Sequence, residues 1–434
     1  MTATSGKPKR SAAAIFIFVT LTLDGIAGGM ALPVLPTLVG KLSGHSGAAL
    51  APVFGIFGTL FYLTQLFSAP IQGSLSDRFG RRPVVLGSNF TMAANYILFA
   101  LAPAVPWLYI AQAVSGAASG SQSSAIAYMT DVTPPEQRTR MFAYVGVAMS
   151  IGFIAGPALS GIAATIDIRA PFWLASGLCL INGLYGLFVL PESLRREHRS
   201  AGLTWTGVNP FVILARLSRD YPVLIRWAIV TLVIQFGMTG INAIYTLYLS
   251  YRYNWQSQHL ATYMTLFGVW SLFAQGVLMP RVSKWLGDRR SLIVGGLVAA
   301  LGITMMGLAP RGTIYGSVAF CWGFFMTLNG AATNSLISRV VGPSEQGRLQ
   351  GALRSLASMV GILAPGLFAF LLSEGIRIGG KSLSGFPFLI CGTLSLVGTL
   401  IAIRIMRAQS STPMAAASVA PAMAANSIEP NRAD

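Results

Sequence analysis

Apolar runs of roughly 20 residues recur from one end of this chain to the other, separated by short polar links. At 1.5 Å per residue such a run crosses a hydrocarbon core of about 30 Å. Twelve runs stand out, at approximately 12–38, 48–72, 83–104, 107–130, 141–165, 170–190, 223–248, 260–279, 291–309, 313–338, 352–373 and 386–406. A segment in lipid must satisfy its own backbone hydrogen bonds, so the pattern predicts an all-α integral membrane protein of twelve transmembrane helices. The first run is long and is followed by further spans instead of a small-residue cleavage site, so no cleavable signal peptide is expected.

The runs divide into two sets of six. Residues 1–190 read as an N-terminal six-helix bundle, 191–222 as a cytoplasmic linker, 223–408 as a C-terminal bundle, and 409–434 as a disordered, Ala/Ser/Pro-biased tail. A trace of duplication supports the division: GSLSDRFGRRPVVLGS follows the second run and PRVSKWLGDRRSLIVGG the eighth, placing Gly80 and Gly287 about half a chain apart. Two repeats facing one another are how many secondary transporters build a central path.

Composition agrees with the pattern. The 434 residues are 53% hydrophobic and 10% charged, against about a quarter charged in soluble chains. The net charge of +17 is explained by its distribution. With the N-terminus inside, every Lys and Arg except Lys41, Arg169, Arg252, Arg311, Arg377 and Lys381 falls on the cytoplasmic side. That asymmetry is the positive-inside rule; it places both termini in the cytoplasm and makes anionic lipid, not nucleic acid, the partner of the charge.

One segment suggests ATP. GIRIGGKS matches the phosphate-cradling pattern at Gly375, Gly380, Lys381 and Ser382. A P-loop needs a strand before it and a helix after it, and here the segment is expected in a short outward loop between spans 11 and 12. No stretch outside the membrane is long enough for a nucleotide-binding domain, so uphill transport must draw on a gradient. Cys179, Cys321 and Cys391 are expected as apolar packing residues inside spans, and His45, His198 and His259 show no metal-ligand spacing. No cofactor, metal site or catalytic constellation is expected, so the chain reads as no enzyme.

Asp24 is the only one of the thirteen acids deep within an apolar span. A carboxylate there costs ~2.5–3.5 kcal/mol even on translocon scales, and such residues normally face a cavity and work. A carboxyl out of water also holds a proton more readily. The alternative is a structural acid bonded to Thr20, Thr22 or a neighbouring helix. In the link after span 2, Gly73 permits close helix approach, Gly80 can take positive φ, and Asp77 sits among Arg78, Arg81 and Arg82. An acid there can pair in one conformation and release in another, as a gate requires.

GSLSDRFGRRP resembles the loop 2–3 signature of the major facilitator superfamily. LTLDGIAGGMALPVLPTLV, MSIGFIAGPALSG, YRYNWQSQHLATYMTLFGVWSLFAQ and SEQGRLQGALRSLASMVGILAPGLFAFLL are similar to its twelve-span drug:proton antiporter branch, the tetracycline exporters in particular. The resemblance implies two pseudo-symmetric six-helix bundles in the inner membrane that export a drug-like compound in exchange for protons, with an acid at the position of Asp24. Gly152, Gly156, Pro157 and Gly161 resemble the span-5 antiporter signature, with Ser160 where the pattern has glycine. The chain departs from the family at Gln112, where an arginine is usual, and in span 9, which lacks the exporters' acid. Arg354, in span 11, has no obvious family counterpart.

A substrate path needs polar handles in an apolar, aromatic wall. The candidates are Gln65, Asn95, Gln112, Gln122, Gln235, Asn242, Gln275, Asn329 and Asn334, with the Ser119–Ser124 cluster; each can instead serve as an interhelical hydrogen bond. The set suits a small amphipathic molecule. The residues alone leave open a transporter of a sugar or other metabolite, or a transport-dead membrane receptor.

Overall fold

The computed structural model describes residues 7–119, 124–125, 128–129, 131, 133, 138–194, 222–338 and 346–411. Its long elements are all helical. In chain order they are α1 (Lys7–Ser43), α2 (Leu50–Phe79), α3 (Arg81–Leu101), α4 (Val105–Ala118), α5 (Arg138–Ala163) and α6 (Ala170–Val189), then α7 (Pro222–Tyr253), α8 (Ser257–Phe273), α9 (Met279–Leu308), α10 (Gly312–Ser338), α11 (Gln346–Leu383) and α12 (Phe386–Ser411). The linker after residue 194, the tail from 412, and Gln122 lie outside the described residues.

Nine helical stretches among the described residues are long and apolar enough to cross a membrane. One of them, Ser257–Leu308, runs for 52 residues and is broken by Gly287 at φ 68, ψ 166, so two expected spans share it. Expected spans 4 and 10 fall on α4, of which 14 residues are described, and on α10, a helix of 27 residues that is not among the nine. Large apolar side chains such as Phe67, Ile162, Phe188, Leu363 and Phe370 are exposed on the outside of the bundle, a surface that only lipid would cover at this density.

The packing repeats itself after six helices. α1 packs on α5 and α7 on α11; α3 packs on α6 and α9 on α12; α1 meets α6 as α7 meets α12. The contacts that join the two sets are related in the same way, α2 with α11 and α5 with α8. Gly80, at φ 111, ψ 160, ends α2 as Gly287 ends the corresponding helix. Both conformations belong to a region that only glycine occupies readily.

Polar contacts between the sets gather toward one end. Thr37 and Ser257 share a hydrogen bond of 3.2 Å, Ser373 donates to the Ala48 carbonyl at 2.9 Å, and Thr59 donates to the Ile362 carbonyl at 2.9 Å. At that same end, Arg169 caps α3 through the Ala100 and Ala102 carbonyls, and Arg252 caps α9 through Ala309. The P-loop-like segment is here too. It is not the free loop expected: α11 continues helically to a break at Gly379 and Gly380, and Gly375 lies against the Leu383 carbonyl. A helix precedes it where a P-loop needs a strand. Of the cysteines, Cys179 and Cys391 are buried, but Cys321 is exposed on α10 and packs no core.

Candidate functional site

Asp24 stands in the middle of α1, deep in the bundle, with part of its side chain still accessible. Its partner comes from α6. Asn182, fully buried, donates its amide N–H to Asp24 Oδ1 at 3.4 Å while its own Oδ1 accepts from Thr20 at 3.0 Å. Thr22 does not join this set; it donates back to the Phe18 carbonyl within α1. Tyr96 of α3 and Cys179 of α6 are electrostatic neighbours of the carboxylate. Asn182 was absent from the sequence-level candidates, although an amide alone in an apolar span is a signal of the same kind as the acid.

One residue further, α1 crosses α5 on glycines. A Cβ added at Gly152 would lie 2.5 Å from Gly25 Cα, and one at Gly156 would lie 2.8 Å from Gly29 Cα. The backbones are therefore in direct contact, the use of a small-xxx-small face in a membrane bundle. Pro157 packs at the same crossing, and Ser160 donates to the Met30 carbonyl at 2.7 Å, so the hydroxyl ties the two helices together where the family has glycine. Gly161 serves a different neighbour, lying against Ala261 of α8.

A cavity of about 330 Å³ opens on the far side of α5. Ser150 and Phe153 of α5 face it, with Leu32 of α1, Asn242 and Tyr245 of α7, Tyr263 and Phe267 of α8, and Tyr315 and Trp322 of α10. No charged side chain lines it among the described residues. Gln275 lines it from a π-helical turn at Ala274–Leu278 and donates to Ser271 Oγ at 2.7 Å. The turn precedes Pro280, which has no N–H to offer the preceding turn, and Arg281 donates to the Val277 carbonyl at 2.6 Å.

Eight of the nine amide candidates are among the described residues, and they separate. Asn242 and Gln275 line the cavity, and Gln235 is exposed two turns before Asn242 on the same face of α7. Gln65 bonds Ser119 at 2.8 Å, Asn95 bonds Ser115 at 2.7 Å and Asn329 bonds the Leu292 carbonyl at 2.9 Å, each holding one helix to another. Gln112 is partly buried on α4 and Asn334 exposed on α10, both away from the cavity wall. Arg354 lies on α11 with its side chain outside the described residues. The aromatic wall itself was not singled out from sequence, because aromatic residues occur throughout the spans.

At the opposite end from the contacts between the sets, the link around Gly80 is tied into the first set. Asp77 pairs with Arg81, whose Nε reaches Asp131 at 3.4 Å and whose backbone N–H bonds Glu192 at 2.9 Å. Arg82 donates to the Leu187 carbonyl at 2.7 Å, capping α6, which is more than orientation in the membrane. Arg78 lies over the Phe79 ring. Open space surrounds Gly73, so the close approach expected there is not made in this conformation.

Residues 17–365 match the family model for the Major Facilitator Superfamily. The chain belongs to the major facilitator superfamily. Within that superfamily it is 31% identical to the tetracycline resistance protein, class C, of Escherichia coli, over 90% of this chain and 96% of that one. It is 27% identical to multidrug resistance protein 2 of Bacillus subtilis (strain 168), over 85% of this chain and 89% of that one. The crystal structure of the human organic anion transporter MFSD10 (TETRAN) has the same fold, with a TM-score of 0.68 at 21% identity, covering 91% of this chain and 100% of that one. The protein is a multi-pass membrane transporter of the superfamily and not an enzyme.

Proposed function

We propose that this transporter exports an amphipathic, tetracycline-like drug across the inner membrane in exchange for protons, with both termini in the cytoplasm and no use of ATP. One observation carries the reading. On α1 an i, i+4, i+8 row runs from Asp24 through Gly28 to Leu32, about 12 Å along the helix; nothing stands within 4 Å of a Cβ added at Gly28, and Leu32 lines the aromatic cavity. The lone acid and the cavity thus lie on one continuous, partly open helix face.

α5 supplies the coupling. Its stripe of Met149, Gly152 and Gly156 meets α1, while Ser150 and Phe153 face the cavity. A change at Asp24 that shifts α1 against α5 therefore moves the cavity wall, because backbones in contact cannot slide independently. Protonation removes the charge that Asn182 solvates and supplies such a change. The uncharged wall of rings, hydroxyls and amides suits a flat molecule with several polar groups. The Asp77, Arg78, Arg81 and Arg82 link acts as the conformational latch: docked on its own half here, it has Asp77 half-exposed and available to the other half when that end closes.

The test is tetracycline uptake into inverted membrane vesicles energised acid inside. Uptake by the native protein that collapses with a protonophore and with Asp24→Asn supports drug:proton antiport. Native protein that is present in the membrane but takes up no tetracycline overturns the substrate, and uptake that persists in Asp24→Asn overturns the role of the carboxyl.

A further inference from the structure

A second cavity lies away from the path, between α7 and α12 at the end of the bundle where α7 begins and α12 finishes. It also measures about 330 Å³ and is lined by Arg226, Ile229, Ile401, Arg404, Ile405 and Ala408. Near mid-span the two helices touch, since a Cβ added at Gly398 would lie 2.6 Å from Ile234 Cγ1. Between that contact and the helix ends lies the cavity, a wedge bounded among the described residues by α7 and α12 alone.

The chemistry of the wedge is of two kinds. Ile401, Arg404, Ile405 and Ala408 form an i, i+3, i+4, i+7 face on α12, met by Arg226 and Ile229 on α7. Four aliphatic side chains and two arginines thus share one cavity wall. Neither α7 nor α12 contains a single Asp or Glu, so neither arginine has an acid on either helix to pair with. Both side chains are exposed. An arginine that merely reached for the membrane surface would do so singly; here two, from different helices at the same level, open on one groove.

We propose that this wedge binds an anionic phospholipid, its phosphate held between Arg226 and Arg404 and an acyl chain lying on Ile229, Ile401 and Ile405. A phosphodiester presents acceptor oxygens that guanidinium forks match, and basic pockets between membrane helices are suited to acidic headgroups. The apolar slot behind the arginines selects a lipid over a free phosphate, since a water-soluble anion would leave it empty. The site is separate from the transport path and does not depend on which substrate is carried.

The experiment is native mass spectrometry of the full-length protein in detergent, titrated with dioleoyl phosphatidylglycerol, with dioleoyl phosphatidylcholine, and with glycerol 3-phosphate. The expected result is retention of phosphatidylglycerol in preference to phosphatidylcholine, weakened by about fivefold for each arginine in Arg226→Gln and Arg404→Gln. Ala408→Trp, which fills the wedge without altering charge, is expected to reduce retention as well. Arg290→Gln, a basic residue elsewhere at the same end, is the control and leaves retention unchanged. Equal retention of both lipids, or equal loss in the Arg290 control, overturns the site, and competition by glycerol 3-phosphate as strong as by the lipid overturns the acyl slot.

Discussion

Asn182 on α6 donates its amide to the Asp24 carboxylate on α1 at 3.4 Å, while Thr20, one turn earlier on α1, donates to the other end of the same amide at 3.0 Å. The Thr20 bond turns the N–H₂ group toward the acid. The acid is then held by one long hydrogen bond, which stabilises the carboxylate without locking it.

Asn182→Leu is therefore expected to lower gradient-driven uptake by about tenfold or more, from the ~1.5–3 kcal/mol of a hydrogen bond to a charged group. Vesicle uptake by the native protein and Asn182→Leu at equal amounts in the membrane checks it; unchanged uptake would show that Asn182 does not act through Asp24.

The α1–α5 crossing gives a comparison of glycines. Gly156→Ala places a methyl 2.6 Å from the Ile26 carbonyl oxygen, whereas Gly28→Ala meets nothing within 4 Å. The first is expected to cost about 1–3 kcal/mol and lower the thermal midpoint in detergent by several degrees. The second should be neutral. Gly28→Leu, which fills the open face between Asp24 and Leu32, should leave the midpoint near native and abolish uptake.

Gly80 and Gly287 carry ψ values of 160° and 166° at positive φ. Asparagine tolerates the left-handed helical region, but that region has ψ near +47°. Gly80→Asn and Gly287→Asn are thus expected to destabilise about as much as the alanine variants, by roughly 1–3 kcal/mol each. Thermal unfolding of the four variants measures this, and a rescue by asparagine would mean that the turns relax to the helical region.

Within the path, Gln275→Ala and Tyr263→Ala should raise the KM for substrate several-fold with a smaller effect on the maximal rate, since both residues line the cavity. Asn329→Ala should do the reverse, because its amide holds α10 to the Leu292 carbonyl. It lowers stability, by about 1 kcal/mol for the lost hydrogen bond between the two helices, and leaves KM unchanged. Initial uptake rates over a range of drug concentrations separate the two classes.

The chain on its own determined the membrane class, the helical runs, the duplication and the single costly acid. Each follows from local accounting: apolar length against bilayer thickness, and a carboxylate against hydrocarbon. Gly80 was legible for the same reason, since a reversal between two helices within a residue or two leaves little choice but positive φ. Which amides face the cavity was not legible. Gln65, Asn95 and Asn329 have the same composition signal as Asn242 and Gln275, and only the rotation of each helix against its neighbours turns the first three into tethers and the other two into wall. The tertiary structure also decided the partner of Asp24, because Asn182 lies 158 positions away in the chain and reaches the acid through the packing of α6 on α1. It decided the wedge between α7 and α12 as well, where two arginines remote in sequence come to one level because the helices touch at Gly398 and run antiparallel from there.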